Sequence, residues 1–295
     1  MKFLKYIPCL LVLLILESCS SNDDSTPPPA VEDSFTYVYD GNAINLTTLF
    51  AEQKDNSLMV RGIAANGQTI LFIFNKFGNL GFVNSYSLKL MLFPDRYCYA
   101  NYKSHYFTFN LISIDETNKR VHATFSGNLY EDRHNLNSDS VTVRGEFNLP
   151  ITESSPSTWV DEAYCKIGGT DWYSSSTEKL IGNSKNDFIL QLSSDDINCI
   201  NLGFDGTNND PGTYNFTSSS LTSFVKLAKF NPLTLDFTVY DCVGTMTVTS
   251  KMDDGTSFLG FYMEGTFSFT ATNPLNPFDV VKISNGRFKT HYFVF

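Results

Sequence analysis

Lys119-Arg120-Val121-His122-Ala123-Thr124-Phe125-Ser126-Gly127-Asn128-Leu129 is the stretch that decides the fold. Val121, Ala123, Phe125, Gly127 and Leu129 share one face, and His122, Thr124, Ser126 and Asn128 share the other. A period of two is that of a half-buried β-strand, because successive side chains of an extended chain point to opposite sides. The pattern returns in the second half, where Leu259, Phe261, Met263, Gly265, Phe267 and Phe269 alternate with Tyr262, Glu264, Thr266, Ser268 and Thr270.

Working outward, aligning Gly127 with Gly265 sets Asp115-Glu116 on Asp253-Asp254, each pair at a turn into its strand. The next strand repeats too, with Val141, Val143, Gly145 and Phe147 against Val281, Ile283, Gly286 and Phe288. One extra residue at Asn285-Gly286 predicts a β-bulge with glycine in the left-handed region. The openings correspond, Tyr37-Val38-Tyr39-Asp40-Gly41-Asn42 against Cys165-Lys166-Ile167-Gly168-Gly169-Thr170, and each predicts a short hairpin.

Other predicted strands are Gln68 to Phe74, Tyr86 to Leu92 and His105 to Ile114 in the first half. Lys179 to Ile181, Phe188 to Leu192, Cys199 to Phe204, Thr234 to Tyr240 and Thr245 to Met252 fill the second. Leu46 to Gln53 suggests a short helical turn. The 26 Phe and 15 Tyr favour strands, and no sustained 3.6-residue period appears. The expectation is an all-β chain of two tandem antiparallel β-sandwich or small-barrel domains.

Ahead of these domains Lys2 and Lys5 precede an apolar run from Tyr6 to Leu16, too short to span a bilayer and suited to a signal peptide. Leu16-Glu17-Ser18-Cys19 resembles the lipobox of bacterial lipoproteins, with Glu17 where most carry a small residue. The resemblance implies cleavage after Ser18 and diacylation of Cys19, each buried CH2 adding about 0.8 kcal/mol of anchoring. Ser20, Ser21, Asn22, Asp23 and Asp24 resemble the Ser-plus-acidic signal that exports such lipoproteins to the outer face of the outer membrane. The domain expectation is therefore a signal peptide over 1–18, a lipidated, disordered tether over 19–34, a first β domain over 35–149, a linker over 150–158 and a second β domain over 159–295. Pro27-Pro28-Pro29 stiffens the tether, which reaches roughly 45 Å if extended as polyproline.

Without the signal peptide the chain has 19 basic and 30 acidic residues, a net charge of −11, and no basic patch. That balance excludes nucleic acid as the expected partner. Four thiols remain, Cys98, Cys165, Cys199 and Cys242. Three pairings are open in principle; with one thiol in the first domain and three in the second, at most one intradomain bridge is expected. Buried, unpaired cysteine is the default.

Gly168-Gly169-Thr170-Asp171-Trp172, Pro211-Gly212-Thr213-Tyr214, Glu264-Gly265-Thr266-Phe267-Ser268-Phe269 and Ile283-Ser284-Asn285-Gly286-Arg287-Phe288, behind a lipobox, resemble a Bacteroidota lipoprotein family of uncharacterised β-rich domains. The likeness covers about the last 135 residues and reaches the first domain through the internal repeat. It implies a surface or periplasmic lipoprotein with no established activity.

No constellation calls for catalysis. Asp115-Glu116 and Asp253-Asp254 are explained by turns, and a glycosidase needs carboxyls facing each other across a cleft. Asp205-Gly206-Thr207-Asn208-Asn209-Asp210 lacks the spacing of a calcium loop. His105, His122, His134 and His291 have no metal-ligand spacing, so no metal or cofactor is expected. Trp159, Trp172 and Tyr173 are the candidate ligand platform, since aromatic faces stack on sugars and anchor protein interfaces. The functional expectation is a lipid-anchored, non-enzymatic surface lipoprotein that binds a glycan or a protein. The alternatives are the periplasmic face of the outer membrane, a structural or assembly subunit of an outer-membrane complex, and a glycan-acting hydrolase.

Overall fold

The alternating segments are strands with their apolar side chains turned inward. Val121, Ala123, Phe125 and Leu129 are buried while Ser126 is exposed, and Met263, Phe267 and Phe269 are buried while Thr266 and Ser268 are exposed. The computed structural model describes residues 32–88, 94–154, 162–181, 188–204, 210–253 and 260–293. The expected signal peptide, Cys19, Ser20 to Asp24, Trp159, Asp254 and residues 205–209 lie outside the described residues.

In chain order the first half has β1 (Ser34–Tyr39), β2 (Asn42–Ala43), β3 (Leu46–Lys54), β4 (Ser57–Ala64), β5 (Gln68–Asn75), β6 (Leu80–Ser87) and β7 (Arg96–Tyr97). A single helical turn, α1 (Lys103–Tyr106), leads into β8 (Phe107–Asp115), β9 (Arg120–Tyr130), β10 (Ser140–Pro150) and β11 (Thr152–Glu153). These strands make one sheet, ordered β11-β3-β4-β5-β6-β7-β9-β10-β1-β2, with β8 also paired to β9. All ladders are antiparallel except the short β11–β3 pair. The sheet curls around a core that includes Leu58, Ile70, Phe72, Phe74 and Phe147. It curls tightly enough that Phe35 of β1 and Leu46 of β3 meet over Gly62 of β4, where a Cβ would stand 2.5 Å from Leu46. Among the described residues no ladder joins the two edges, so these strands do not close a barrel.

The second half has β12 (Glu162–Ile167), β13 (Thr170–Tyr173), β14 (Ser176–Ile181), β15 (Phe188–Ser193), β16 (Asn198–Phe204) and β17 (Gly212–Phe216). It ends with β18 (Phe224–Asn231), β19 (Asp236–Val239), β20 (Asp241–Asp253), β21 (Gly260–Asn273) and β22 (Asn276–Phe293). A six-stranded sheet, β13-β12-β22-β21-β20-β17, faces a five-stranded one, β14-β15-β16-β18-β19. Leu190, Leu202 and Leu227 of the second sheet share a core with Met246, Met263 and Phe288 of the first. This half is a sandwich.

Several local expectations change. Leu46–Lys54 is a strand paired along its length with Ser57–Ala64, because half-buried Leu49 and Phe50 and buried Ala51 find a pleated partner that an isolated helical turn lacks. The strand expected at Tyr86 to Leu92 instead runs Leu80–Ser87, and 89–93 are outside the described residues. The strand expected from His105 begins at Phe107, after α1. All four cysteines are free and buried.

The hairpins that open each half fold as read. Asp40-Gly41 and Gly168-Gly169 all have positive φ, at 48°, 79°, 59° and 91°, the signature of the two-residue turn whose twist matches paired strands. In both halves the first hairpin strand pairs with the last long strand, giving β2-β1-β10-β9 and β13-β12-β22-β21. The alignment of Gly127 with Gly265 does not survive in the ladders, since Gly127 faces Val143 whereas Gly265 faces Phe288. The equivalent ladder pairs are Gly145 with Phe125 and Gly286 with Phe267. In each, the Phe ring occupies the space a Cβ on the glycine would need.

Asp33–Phe295 form one compact unit, and the halves meet through specific contacts. Tyr99 and Tyr130 pack with Phe230 in a small aromatic cluster. Asp195 accepts hydrogen bonds at its carboxylate from Asn79 Nδ2 (3.1 Å) and the Leu80 amide (3.3 Å), and at its carbonyl from the Ser104 amide (2.9 Å). Lys103 is buried and donates to the Ser194 carbonyl at 3.3 Å.

Candidate functional site

The two halves leave a cleft of about 600 Å³ between the β5–β6 turn and the outer face of the six-stranded sheet. One wall is aromatic. Phe77, in that turn, stacks on Tyr173 of β13 with ring centroids 3.6 Å apart, and Tyr173 lies 4.9 Å from the Tyr164 ring of β12. The Arg287 guanidinium stands 5.0 Å over Tyr164. Tyr164 donates its phenol O–H to Asp171 Oδ1 at 2.7 Å, and Lys166 reaches the same oxygen at 2.9 Å. The Tyr164 hydroxyl and Lys166 hold the Asp171 carboxyl below its usual range, and that hydrogen bond to Asp171 keeps the phenol protonated to higher pH.

The floor is polar because of how strand period and bulge combine. Along β22 the inward positions are Ile283, then Gly286 and Phe288, so the phase changes once. The ladders to β12 and β21 both slip by one residue at this point, which is the predicted bulge. Its left-handed residue is Asn285, at φ 54°, rather than the glycine. Asn tolerates that region better than other side chains do, while Gly286 is needed because the Phe267 ring crowds it. The slip turns Arg287 and Lys289 outward.

Register then sets one residue from each of six strands in a row: Tyr173 faces Tyr164, Tyr164 faces Arg287, Arg287 faces Thr266, Thr266 faces Thr247 and Thr247 faces Thr213. At about 4.8 Å between neighbouring strands the row is roughly 24 Å long. Thr213 and Thr247 are hydrogen-bonded through their hydroxyls at 3.0 Å. A second row crosses three strands as Glu162, Lys289 and Glu264. Glu162 accepts a hydrogen bond from Asn56 Nδ2 at 2.7 Å, tying the floor to the first half. Lys76, from the β5–β6 turn, adds a cation at the cleft.

Of the expected platform residues, Tyr173 lines this cleft. Trp172, one residue earlier on the strand, points the other way; it is 5% exposed in the sandwich core and donates Nε1–H to Asp196 Oδ1 at 3.2 Å. Trp159 is outside the described residues. Asp115 is a turn residue whose Oδ1 accepts from the amides of Thr117 and Asn118, both at 2.9 Å. Phe77, Tyr164 and Arg287 were not singled out by the sequence. The legible signal was the outward phase of Glu264, Thr266 and Arg287 beside inward glycines.

Among the described residues no cluster of His, Cys, Asp or Glu is arranged to hold a metal, and no helix is long and apolar enough to cross a membrane. The fold and the cleft define an all-β protein of antiparallel sheets that carries a polar and aromatic face. Comparison with protein-family models, with curated proteins and with solved structures finds no match to this chain.

Proposed function

We propose that the mature chain is a lipid-anchored envelope protein, displayed on the cell surface, that binds a ligand in the cleft between its halves. The cleft supports this reading, because it combines an aromatic wall with hydroxyl, amide and charged groups of both signs, the mixture that orients a polar ligand. The lipobox at Cys19 and the acidic Ser20 to Asp24 stretch support the address. The resemblance to Bacteroidota lipoproteins with tandem β-rich domains is supported by the four-strand order that the halves have in common, β2-β1-β10-β9 and β13-β12-β22-β21, though the rest of their sheets differ.

Protease treatment of intact cells tests display: loss of the protein before lysis is expected, and protection until lysis places it on the periplasmic face. Cys19→Ala is expected to move the protein to the soluble fraction, and retention in the membrane sinks the anchor. Glu162 and Glu264 both reach the cleft, so the non-enzymatic reading is checked by incubating the protein with glycans; shortened products would make it a hydrolase.

A second reading, a subunit of an outer-membrane assembly, is favoured by exposed Leu233 (92%), Leu275 (84%) and Phe278 (96%) at hairpin tips of the second half. A stoichiometric partner on co-purification, lost with Phe278→Ser, supports that reading instead.

A further inference from the structure

We infer that the ligand is a linear, neutral saccharide chain lying across the strands of the six-stranded sheet, along the row from Tyr173 to Thr213. The inference rests on the cleft being a binding site and adds the chemistry and direction of what it binds.

Direction comes from register. Six outward residues on six consecutive strands line up perpendicular to the chain direction, and their chemistry is graded. The stack of Phe77 and Tyr173 closes one end, Tyr164 and Arg287 follow, and three threonines extend to the far edge strand. The surface beside Thr266 and Arg287 continues as a shallow depression lined by Thr245, Thr247, Ser268 and Asn285, so among the described residues the floor runs on past the cleft. A roughly 24 Å track of this kind suits a chain several units long better than a compact small molecule.

The chemistry excludes two competitors. An extended peptide gains its affinity by lying parallel to an edge strand and adding main-chain hydrogen bonds to it, whereas a ligand along this row crosses the six strands at right angles and cannot add itself as a strand. A polyanion or polycation calls for a field of one sign, whereas Arg287 and Lys289 stand beside Glu162 and Glu264. A saccharide matches what remains: its C–H faces pack on aromatic rings, and its many hydroxyls donate and accept among threonine hydroxyls, carboxylates and a guanidinium.

The mature chain, purified in detergent, is titrated with neutral linear glucans, mannans and xylans of two to eight units and applied to a glycan array. At least one series is expected to bind, with affinity rising with length until the track is filled. Tyr173→Ala is expected to weaken every length by about tenfold. Thr213→Ala, at the far end, is expected to weaken only the longer members, a pattern that a folding defect does not produce. Unchanged thermal unfolding of both variants confirms that each is folded. Absence of binding by every saccharide, or binding indifferent to length and to both substitutions, overturns the inference. Tyr173-dependent binding to a peptide array with no saccharide bound overturns it too, while leaving the cleft a binding site.

Discussion

At the scale of single residues, burial outweighs local partners at Asp196. Its Oδ1 accepts from Trp172 Nε1 and from the Asn198 amide at 3.0 Å, and its Oδ2 accepts from Asn198 Nδ2 at 2.6 Å. Desolvation nevertheless raises its pKa above the ordinary carboxylate value. Between the unfolded and the raised folded pKa the native chain holds a proton that the unfolded chain has released. Stability therefore falls as pH rises through that window, and the full cost is present above the folded pKa. Asp196→Asn keeps the Oδ1 acceptor and removes the charge, and Asn198 Oδ1, buried without a partner, is available to the new amide if the Asn198 side chain turns. The variant is expected to unfold at the same or a higher temperature than wild type at pH 7, with that advantage lost at pH 4; a melting temperature lower at pH 7 and restored in acid would contradict the sign. Burial likewise pushes the thiols of Cys165 and Cys199 up to about 12 and that of Cys242 up to about 11. Iodoacetamide at pH 8 is expected to leave these three, and buried Cys98, unmodified in the native protein and to alkylate all four after denaturation. The difference between Trp172 and Tyr173 belongs to this scale: both are aromatic, and only the strand's phase separates core from cleft.

At the scale of elements, alternation in the sequence identified which face of a long strand is buried, and the structure agrees along β9 and along Met263–Phe269 of β21, whereas Tyr262, read onto the outward face, is buried. It did not determine register. A slip of two or four residues leaves every side chain on its own face, so a period-two pattern is blind to it. That is why Gly127 and Gly265 align in sequence yet sit at different rungs, while Gly145 and Gly286 share a contact that spacing alone does not reveal. The cleft was illegible for the same reason, since it depends on which outward residues register with one another and on how two halves meet. The bulge was legible as an extra residue, and its conformation was not. Gly286→Ala places a methyl against the Phe267 ring and backbone, and is expected to cost about 1–3 kcal/mol. Asn285→Gly relieves a left-handed side chain and is expected to change stability by less than about 1 kcal/mol. Denaturant midpoints of the two variants give the comparison; a gain of more than about 1 kcal/mol for Asn285→Gly would mean that the strain sits at Asn285 after all.

At the scale of the whole molecule, two cores share one fate only if the contacts between them are worth enough. Each half has its own apolar cluster, the property expected of a unit that folds alone. The junction opposes independence, because separation would expose Tyr99 and Phe230 and strip buried Lys103 of its acceptor at Ser194. It would also leave the carboxylate of Asp195 without Asn79 and the Leu80 amide. A buried polar group that loses its partner costs about 1–3 kcal/mol, so several together are comparable with the stability of a small domain. The halves are therefore expected to unfold in one transition. Two probes separate them cleanly: both tryptophans lie in the second half of the sequence, and Cys98 is the single cysteine between Asp33 and Pro150. Tryptophan fluorescence and pulsed alkylation of Cys98 are expected to give the same denaturant midpoint. Asp195→Ala is expected to lower both midpoints together, by about 1–3 kcal/mol of stability. Midpoints that differ in the wild-type chain would mean that the cleft opens and closes as the halves part. In that case ligand affinity would carry the cost of bringing them together.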